Sequence, residues 1–518
     1  MPSIHSTATA GAGASAEVGT RAHLRGSSLL LAGRLLSLGL NFVTQVITVR
    51  YLTKQDYGAF AYALSVVSFG STISLLGLNR AAARFLPIYE ERRQWSELFG
   101  GICVVLTTLA GLGLAFVLTV LGLRSVLHPT LIDNAQAADL LVILVALAPV
   151  AAFDTLLVTL FAVFSGPRAI FLRKHVLGPL LNLAAISAVV LWGGGVSNLA
   201  VAQLTAGVVG VALYSTMLVR TFRRRGWWEI LRQQRLVWPV REFFGFSLPL
   251  LSSDVVLMLR GVFVVVFLER LVGATAVAEY RAVSPVAHLN MIVEQSFAYL
   301  FLPLAARLVA RGDREGIASL YRRTAGWIAV LSFPIFVVTA VLAAPLAVLL
   351  YGDRYASSGA ILAWLALGHL TNAALGFNAA TLRALGRVRV IVASDLASVL
   401  TAIVSYLLLI PVLGATGAAI GTTLTLVVRN LFNQVALRRE LGVTLLTPEL
   451  GRPAASILVG ALIMLAFDRI LHPPLWLDGA VVALLWIALL RVNRKCLELL
   501  ETLPELGRVP GLRRLLGS

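Results

Sequence analysis

The chain alternates between long apolar stretches and short polar connections. A helix needs about 20 apolar residues to cross the hydrocarbon core of a bilayer, and fourteen stretches are close to that length. Backbone groups inside a bilayer must be paired within their own segment, so each stretch is predicted to be a helix. The expected fold class is an all-α polytopic membrane protein. The predicted spans lie near 27–49, 59–80, 99–123, 139–165, 175–193, 199–219, 246–268, 281–305, 325–350, 358–381, 390–411, 416–437, 454–471 and 476–491.

Basic residues are distributed unevenly among the connections. Of the 43 Lys and Arg residues, 33 lie at the two chain ends and in every second connection, 7 lie in the other connections, and 3 lie inside apolar stretches. Basic residues near the ends of spans are retained on the cytoplasmic side. The alternation therefore predicts a multi-pass protein of the bacterial inner (cytoplasmic) membrane with both termini in the cytosol.

Composition supports this interpretation and narrows the function. Hydrophobic residues make up 58% of the chain and charged residues 13%, which is outside the range of soluble domains. The net charge of +18 does not indicate nucleic acid binding, because it is spread over short loops instead of one surface. Cys103 lies in an apolar stretch and Cys496 near the C-terminus, so no disulfide framework or metal site is expected.

The spans form two groups of six, followed by one more pair. The first apolar run is too long for the core of a signal peptide and is interpreted as a retained span. The connection between the groups is basic and carries Trp227, Trp228 and Trp238, which predicts a helix lying along the membrane surface. The predicted organisation is a flexible cytosolic tail (1–26), an N-terminal six-helix lobe (27–220), a cytosolic interfacial linker (221–245), a C-terminal six-helix lobe (246–440), an additional helix pair (441–492) and a cytosolic tail (493–518).

The two groups of six resemble each other in sequence. Gly166 aligns with Gly386 and Gly195 with Gly414, and both groups carry a Leu-Pro pair, at Pro87 and at Pro303, where the second span is expected to close. An even number of spans in each repeat gives two lobes related by a pseudo-two-fold axis along the membrane normal, with a cavity between them. We therefore expect two pseudo-symmetric lobes around a central cavity.

The first span carries polar residues at helical spacing, on one face along its whole length. Small polar side chains often only hold helices together, whereas a continuous face with an arginine at its end favours a hydrated cavity. For Arg34 a second interpretation is open, in which its long side chain reaches the cytosolic headgroups. The polar residues of this face are Arg34, Ser37, Asn41, Thr44, Gln45 and Thr48.

The seventh span carries Arg260 about fourteen residues from its start, which is roughly 20 Å along a helix. A guanidinium at that depth requires either a partner or an aqueous cavity. Asn290 and Glu294, four residues apart on the eighth span, are the candidates that supply either one. Two interpretations are open: Arg34 and Arg260 occupy comparable positions and both face the cavity, or Arg260 forms a structural ion pair with Glu294.

Other charged residues complete the candidate list. Arg80 and Arg84 lie at the cytosolic end of the second span, where they either anchor the topology or recruit an anionic headgroup. Asp154, Asp254 and Glu294 are candidates for ion coupling, although a packing hydrogen bond explains Asp154 equally well. Asp395 is expected to pair with the nearby arginines at 387 and 389. The polar residues at the end of the twelfth span, Arg429, Asn430 and Asn433, are interpreted as structural, and the histidines as isolated.

Catalytic sequence motifs are missing from the chain. There is no Walker A sequence, no Gly-x-Ser-x-Gly and no cluster of carboxylates in a loop, and histidine spacing does not fit a metal site. No catalytic residue, cofactor or metal is therefore expected. A polytopic chain with polar residues inside its spans and no external domain is typical of a transporter.

At this point the residues show a family resemblance. The segment after the first span, RYLTKQDYGAFAYALSVVSFGS, resembles bacterial polysaccharide-biosynthesis flippases of the multidrug/oligosaccharidyl-lipid/polysaccharide exporter superfamily, as does the turn that runs from Pro411 through Gly414 and Gly417 to Ala419. The resemblance implies two six-helix lobes that work by alternating access and move polyprenyl-pyrophosphate-linked oligosaccharides to the outer leaflet. It also implies a headgroup role for Arg34 and Arg260.

The resemblance further implies partners: the lipid-linked oligosaccharide, membrane lipids, a polysaccharide polymerase and a chain-length regulator, with the protein as a monomer and no nucleic acid. Arginine grips phosphate oxygens with two parallel hydrogen bonds, which agrees with a pyrophosphate cargo. The alternatives are a multidrug exporter of organic cations and a peptidoglycan-precursor flippase of the same superfamily. The first span has Arg34 and no carboxylate, which weighs against a cationic drug. A membrane glycosyltransferase would need a larger external loop.

Overall fold

The computed structural model describes residues 29, 32–123, 135–165, 167–444 and 447–497, without the side chains of 167, 249–257, 299–300 and 495–497. Every regular element among these residues is helical, which confirms the all-α class. The predicted tail 1–26 and most of the tail 493–518 lie outside the described residues. The chain divides into two compact units, 1–255 and 256–518, and the boundary falls inside a helix rather than in the predicted linker 221–245.

Among the described residues, eleven helices are long and apolar enough to cross a membrane, or up to twelve if the bent pair Ala274–Ala298 and Phe301–Ala310 counts as one span. The protein is thus a multi-pass membrane protein, and the number fourteen remains a prediction. Unit 1 contains α1 (Ala32–Tyr51), α2 (Lys54–Leu75), α3 (Leu78–Glu91), α4 (Trp95–Gly122), α5 (Ala135–Leu144), α6 (Leu147–Phe164), α7 (Pro167–Ile170), a π-helix (Phe171–Leu177), α8 (Gly178–Leu191), α9 (Val196–Arg224), α10 (Trp227–Gln233) and α11 (Val240–Leu271), which continues into unit 2.

Unit 2 repeats this pattern of long and broken helices. Its elements are α12 (Ala274–His288), a 3₁₀ turn (Leu289–Met291), α13 (Ile292–Ala310), α14 (Arg314–Ala340), α15 (Ala343–Tyr351), a second 3₁₀ turn (Asp353–Tyr355), α16 (Ser358–Leu375), α17 (Phe377–Ala384), α18 (Val388–Leu441), α19 (Pro448–Leu471) and α20 (Leu475–Leu497). The last two helices pack on α14, and Trp486 Nε1 donates a hydrogen bond to Val330 O at 3.1 Å. The additional helix pair therefore belongs to the core of unit 2.

The long helix α18 is two helices joined at a sharp turn. Gly414 has φ 56° and ψ −134°, a conformation that glycine adopts readily because it lacks a Cβ. Arg429 and Asp395 form an ion pair at 2.8 Å, although a straight helix would hold them about 50 Å apart. Gly417 lies against the backbone of Leu409, so that the two arms approach closely. The two arms match the predicted spans 390–411 and 416–437.

The Leu-Pro pairs differ from their predicted place. Pro87 lies inside α3 and Pro303 inside α13, so neither proline closes a helix. In both units the expected second span is broken earlier, at Leu76–Gly77 in unit 1 and at the 3₁₀ turn Leu289–Met291 in unit 2. Each proline lies well inside the helix that follows the break, where its missing N–H removes one hydrogen bond of the helix.

The linker also differs from its predicted form. Trp227 is 5% exposed and packs edge-on against Phe164, with ring centroids 5.0 Å apart, and against Trp95 and Phe99. Its ring is therefore part of the core of unit 1. The sequence suggested that this ring lies at the membrane surface, and its burial excludes a role as a membrane anchor. Trp228 and Trp238 remain exposed.

Candidate functional site

The interior of unit 1 contains an ion pair between α6 and the π-helix. Arg173 lies in the π-helix Phe171–Leu177, a type of segment that often occurs at functional sites because its extra residue shifts side chains out of register. Its Nη2 donates hydrogen bonds to Asp154 Oδ1 at 2.6 Å and to Asp154 O at 2.7 Å. The Arg173 side chain is 1% exposed, whereas that of Asp154 is 45% exposed. One partner is therefore fixed in the protein, and the other is accessible.

Aromatic rings hold the Arg173 guanidinium in place. Its carbon lies 4.3 Å from the ring centroid of Tyr214 and 5.3 Å from that of Phe161, within the range of cation–π attraction. The Tyr214 hydroxyl donates to Arg173 O at 3.3 Å, so that α9 fixes the π-helix as well. Arg173 Nε and Nη1 are buried and have no hydrogen-bond partner among the described residues.

Beside this pair lies a cavity of about 340 Å³, formed by helices of unit 1 alone. Amide groups dominate its polar wall, and the side-chain oxygens of Asn182 and Gln203 are buried without a partner among the described residues. Its volume is within the range of small-ligand sites. Amides, two cations and one carboxylate around a partly apolar space suit a polar ligand with hydroxyl groups. The polar lining residues are Asn41, Asp154, Arg173, Lys174, Asn182, Gln203 and Tyr214.

The polar face of α1 contributes to this cavity. Asn41 lines it, and one turn further towards the N-terminus Ser37 Oγ lies 3.1 Å from His175 Nδ1. The charges of Lys174 and Arg34 both act on the His175 ring, so both cations lie near that histidine. Thr44 and Thr48 have a different role, since their hydroxyls donate to the backbone of their own helix at 2.8 Å.

Unit 2 contains a second group of charges, between the two arms of α18 and the neighbouring helices. Arg429 Nε donates to Asp395 Oδ1 at 2.8 Å, and the two side chains are 14% and 8% exposed. The charges of Arg429 and Asp395 are also the ones that act on Arg260, and the charge of Arg429 acts on Glu294. Arg260, Glu294, Asp395 and Arg429 are called the unit 2 charge cluster below.

Within the unit 2 charge cluster, two groups are incompletely satisfied. Arg260 Nη1 and Glu294 Oε2 are buried and have no hydrogen-bond partner among the described residues. Gly376 lies between α16 and α17, and a Cβ on this residue would collide with Glu294 Oε1. Any side chain at position 376 would therefore displace the Glu294 carboxylate. Arg429 is thus paired with Asp395 and is also near enough to Glu294 for its charge to act on that carboxylate, and Arg260 is the second cation of the group.

Comparisons with known proteins identify the family of this chain. The family described as "Polysaccharide biosynthesis protein" matches residues 23–309, more than half of the chain, and the family described as "MatE" matches residues 249–408. The chain belongs to the polysaccharide biosynthesis protein family. The resemblance read from the sequence is thereby confirmed.

A curated relative of this polysaccharide biosynthesis protein is the succinoglycan biosynthesis transport protein ExoT of Rhizobium meliloti (strain 1021). The two are 26% identical over 345 residues, which is 64% of this chain and 63% of that relative, less than two thirds of its length. Among solved structures, the lipid II flippase MurJ in an inward closed conformation has a TM-score of 0.71 at 12% identity, with 92% of this chain and 100% of that chain covered.

A multidrug resistance MATE family transporter of the MOP superfamily, in an inward-facing conformation, has a TM-score of 0.60 at 17% identity and covers 79% of this chain and 94% of that chain. At such identities the two solved structures show that the fold is shared.

Several predicted site residues of this family member are placed differently from expectation. Asn290 is fully buried, and its Nδ2 donates to Ala287 O at 3.0 Å and to Thr339 Oγ1 at 2.9 Å, which gives it a packing role in place of a substrate contact. Asp395 pairs with Arg429, whereas Arg387 pairs with Glu440 at 2.8 Å. The expected pairing of Asp395 with Arg387 is therefore corrected.

Other predicted residues are found near their expected surroundings. Arg34 is half-buried and has an interaction within the protein, as does Gln45, while Asn41 lines the unit 1 cavity. Arg80 and Arg84 are exposed, and the Arg84 guanidinium lies 4.6 Å from the Phe246 ring centroid. The side chain of Asp254 lies outside the described residues.

Sequence reasoning missed two contacts between distant residues. Arg173 was counted among the basic residues of a connection, because it stands close to Arg168 and Lys174 in the sequence. The signal that distinguishes it is the run AIFLRKHVL, in which apolar residues on both sides continue the span past the charge. The histidines at 288 and 369 were interpreted as isolated, but their ring centroids are 4.2 Å apart in unit 2.

Proposed function

We propose that this protein is a flippase that moves a polyprenyl-pyrophosphate-linked oligosaccharide from the cytosolic to the outer leaflet of a bacterial inner membrane, with both termini in the cytosol. Membership in the polysaccharide biosynthesis protein family and the similarity to a succinoglycan transport protein support this cargo. The likeness to a lipid II flippase supports a lipid-linked glycan as its general class.

The observation that carries the proposal is the cavity of about 340 Å³ in unit 1. Amide groups from Asn41, Asn182 and Gln203 offer both donors and acceptors, as sugar hydroxyls require. Lys174 and Arg173 supply positive charge in the cavity wall, and Arg34 lies near His175, the residue after Lys174. An anionic linker next to a sugar is complementary to this combination.

We also propose that Arg34 of unit 1 and Arg260 of unit 2 each contact the pyrophosphate. Arginine is suited to that task because its planar guanidinium binds two phosphate oxygens at once. Glu294 is the candidate for ion coupling in the C-terminal unit, since it is a buried carboxylate with one unpaired oxygen. Asp154 is a weaker candidate, because Arg173 already neutralises it.

A multidrug exporter is the second candidate function, favoured by the MatE match over residues 249–408. Organic cations need uncompensated negative charge in the binding site. In the unit 1 cavity the single carboxylate, Asp154, is bound to Arg173, and Lys174 adds another positive charge. The balance of charge in this cavity therefore favours an anionic cargo.

Transport of a labelled substrate by the purified protein in liposomes tests the proposal. A fluorescent polyprenyl-pyrophosphate saccharide in the inner leaflet is expected to become accessible to an added glycosidase only when the protein is present. Ethidium, a cationic drug probe, is expected not to accumulate under the same gradients. Drug movement without saccharide movement would replace the flippase by the exporter.

A further inference from the structure

A second cavity lies in unit 1, at the basic end of α9. Its volume is about 510 Å³, and it is formed between the end of α6, α7 and the last turns of α9. Its floor is apolar, with Phe161, Phe164, Ala169 and Met217, and its rim is basic, with Arg220, Arg224 and Arg225. An apolar floor below a basic rim is the arrangement expected for the headgroup end of an anionic lipid.

The three arginines of the rim have different roles. Arg225 is held by the protein, because its Nη1 donates to Glu90 Oε1 at 2.7 Å, its Nη2 donates to Phe164 O at 2.6 Å, and its guanidinium lies over the Trp227 ring. Arg220 and Arg224 are exposed, and neither has a hydrogen bond or ion pair with any described residue. Arg220 and Arg224 are therefore available to a ligand, while Arg225 is held in place by the protein.

A polar group inside the cavity also lacks a partner. The Ser165 hydroxyl oxygen is buried from solvent and makes no hydrogen bond among the described residues, although it lies in the cavity wall beside Arg225. A buried hydroxyl without a partner is costly, so a ligand oxygen at this position would stabilise it. The hydroxyl is a donor in the wall of the cavity whose rim carries Arg220 and Arg224.

We propose that this cavity binds the phosphate headgroup of an acidic membrane phospholipid such as phosphatidylglycerol. The phosphodiester lies between Arg220 and Arg224 and accepts a hydrogen bond from Ser165, and the start of an acyl chain lies on Phe161 and Met217. This lipid is part of the surrounding membrane, and it is distinct from the transported cargo. Its binding fixes the basic end of α9 against α6 and α7.

The experiment measures the lipid retained by the full chain in detergent. Purified protein is incubated with equal amounts of phosphatidylglycerol and phosphatidylcholine, separated from excess micelles and analysed for lipid by mass spectrometry. The variant Arg220→Gln/Arg224→Gln is compared with Arg232→Gln/Arg235→Gln, which removes two exposed charges from the same connection but none from the cavity. All three proteins are checked for the same thermal unfolding midpoint and elution volume.

Wild type and the Arg232/Arg235 variant are expected to retain phosphatidylglycerol over phosphatidylcholine, and the Arg220/Arg224 variant is expected to lose at least about tenfold of that preference. Inorganic phosphate at millimolar concentration is expected not to displace the lipid, because it lacks the acyl chain. Equal loss in both variants would mean that total charge alone attracts the lipid. Displacement by inorganic phosphate would identify a simple anion site. Either result would overturn the proposal.

Discussion

Arg173 and Asp154 form an ion pair at 2.6 Å in which the cation is buried and the carboxylate is half-exposed to a cavity. A buried arginine is stable only with partners, and this one relies on a single carboxylate, one carbonyl and two aromatic rings. Asp154 therefore balances the charge of the helix that carries Lys174 and His175. The stability of unit 1 therefore depends on a carboxylate that also lines its cavity.

Replacement of Asp154 by Ala is expected to lower the stability of the protein. The substitution leaves the Arg173 guanidinium buried with only the carbonyl and rings as partners, which costs roughly 1 to 3 kcal/mol. Thermal unfolding in detergent, followed by tryptophan fluorescence, measures the loss. The double variant Asp154→Ala/Arg173→Met, which removes both charges, is expected to recover most of it, whereas additive losses would mean that the pair does not couple.

Lys174→Gln is expected to reduce transport of the pyrophosphate-linked substrate by about tenfold without changing the unfolding midpoint. The lysine is exposed and lines the cavity, so the loss of its charge is expected to weaken ligand binding more than it lowers the stability of the fold. Arg168→Gln is the matched control, because Arg168 is also exposed in the preceding turn but does not line the cavity. The liposome assay measures both variants. A similar reduction in the control would assign the effect to general surface charge.

The periodicity of apolar residues predicted the helical class and the position of most spans, because the bilayer restricts length and hydrophobicity so strongly. The periodicity did not predict that α12 and α13 are separate helices, nor that α16 and α17 are. The break at Gly376, for example, is a place where the chain packs closely against the Glu294 side chain, and hydrophobic periodicity carries no information about such a contact. The hairpin at Gly414 was predictable, because the positions around Pro411 and Gly414 formed a recognisable turn.

Contacts between charged residues were harder to predict. Asp395 is close to Arg387 and Arg389 in the sequence, but these lie one to two turns away along the same arm, and its partner Arg429 is 34 positions further on. Only the turn at Gly414 brings the two arms together. Likewise, Arg173 reaches Asp154 because the π-helix shifts its register, and nothing in hydrophobic periodicity indicates a π-helix.

Gly414→Ala is expected to destabilise the protein by about 1 to 3 kcal/mol. Its φ of 56° with ψ −134° is strained for any residue with a Cβ, and the two arms of α18 have no other break. Gly479→Ala is the control, because Gly479 lies inside α20 with open space around its position and is expected to be neutral or slightly stabilising. Unfolding midpoints in the same detergent compare the two. Equal midpoints would show that the turn tolerates a side chain.

Arg260→Ala is expected to abolish surface-polysaccharide display in a flippase-null host while the protein still inserts in the membrane. Arg260 is the cation of the unit 2 charge cluster that has an unpaired buried nitrogen, so it is the one best placed to meet a phosphate. Arg260→Lys is expected to retain part of the display, because lysine keeps the charge but cannot bind two phosphate oxygens in a planar fork. Immunoblots of membranes verify the protein level, and lectin binding to cells measures the display.

Full display by Arg260→Ala would show that the residue is not needed for transport. Equal display by Arg260→Lys and wild type would show that charge alone is sufficient, and that a bidentate grip is not part of recognition.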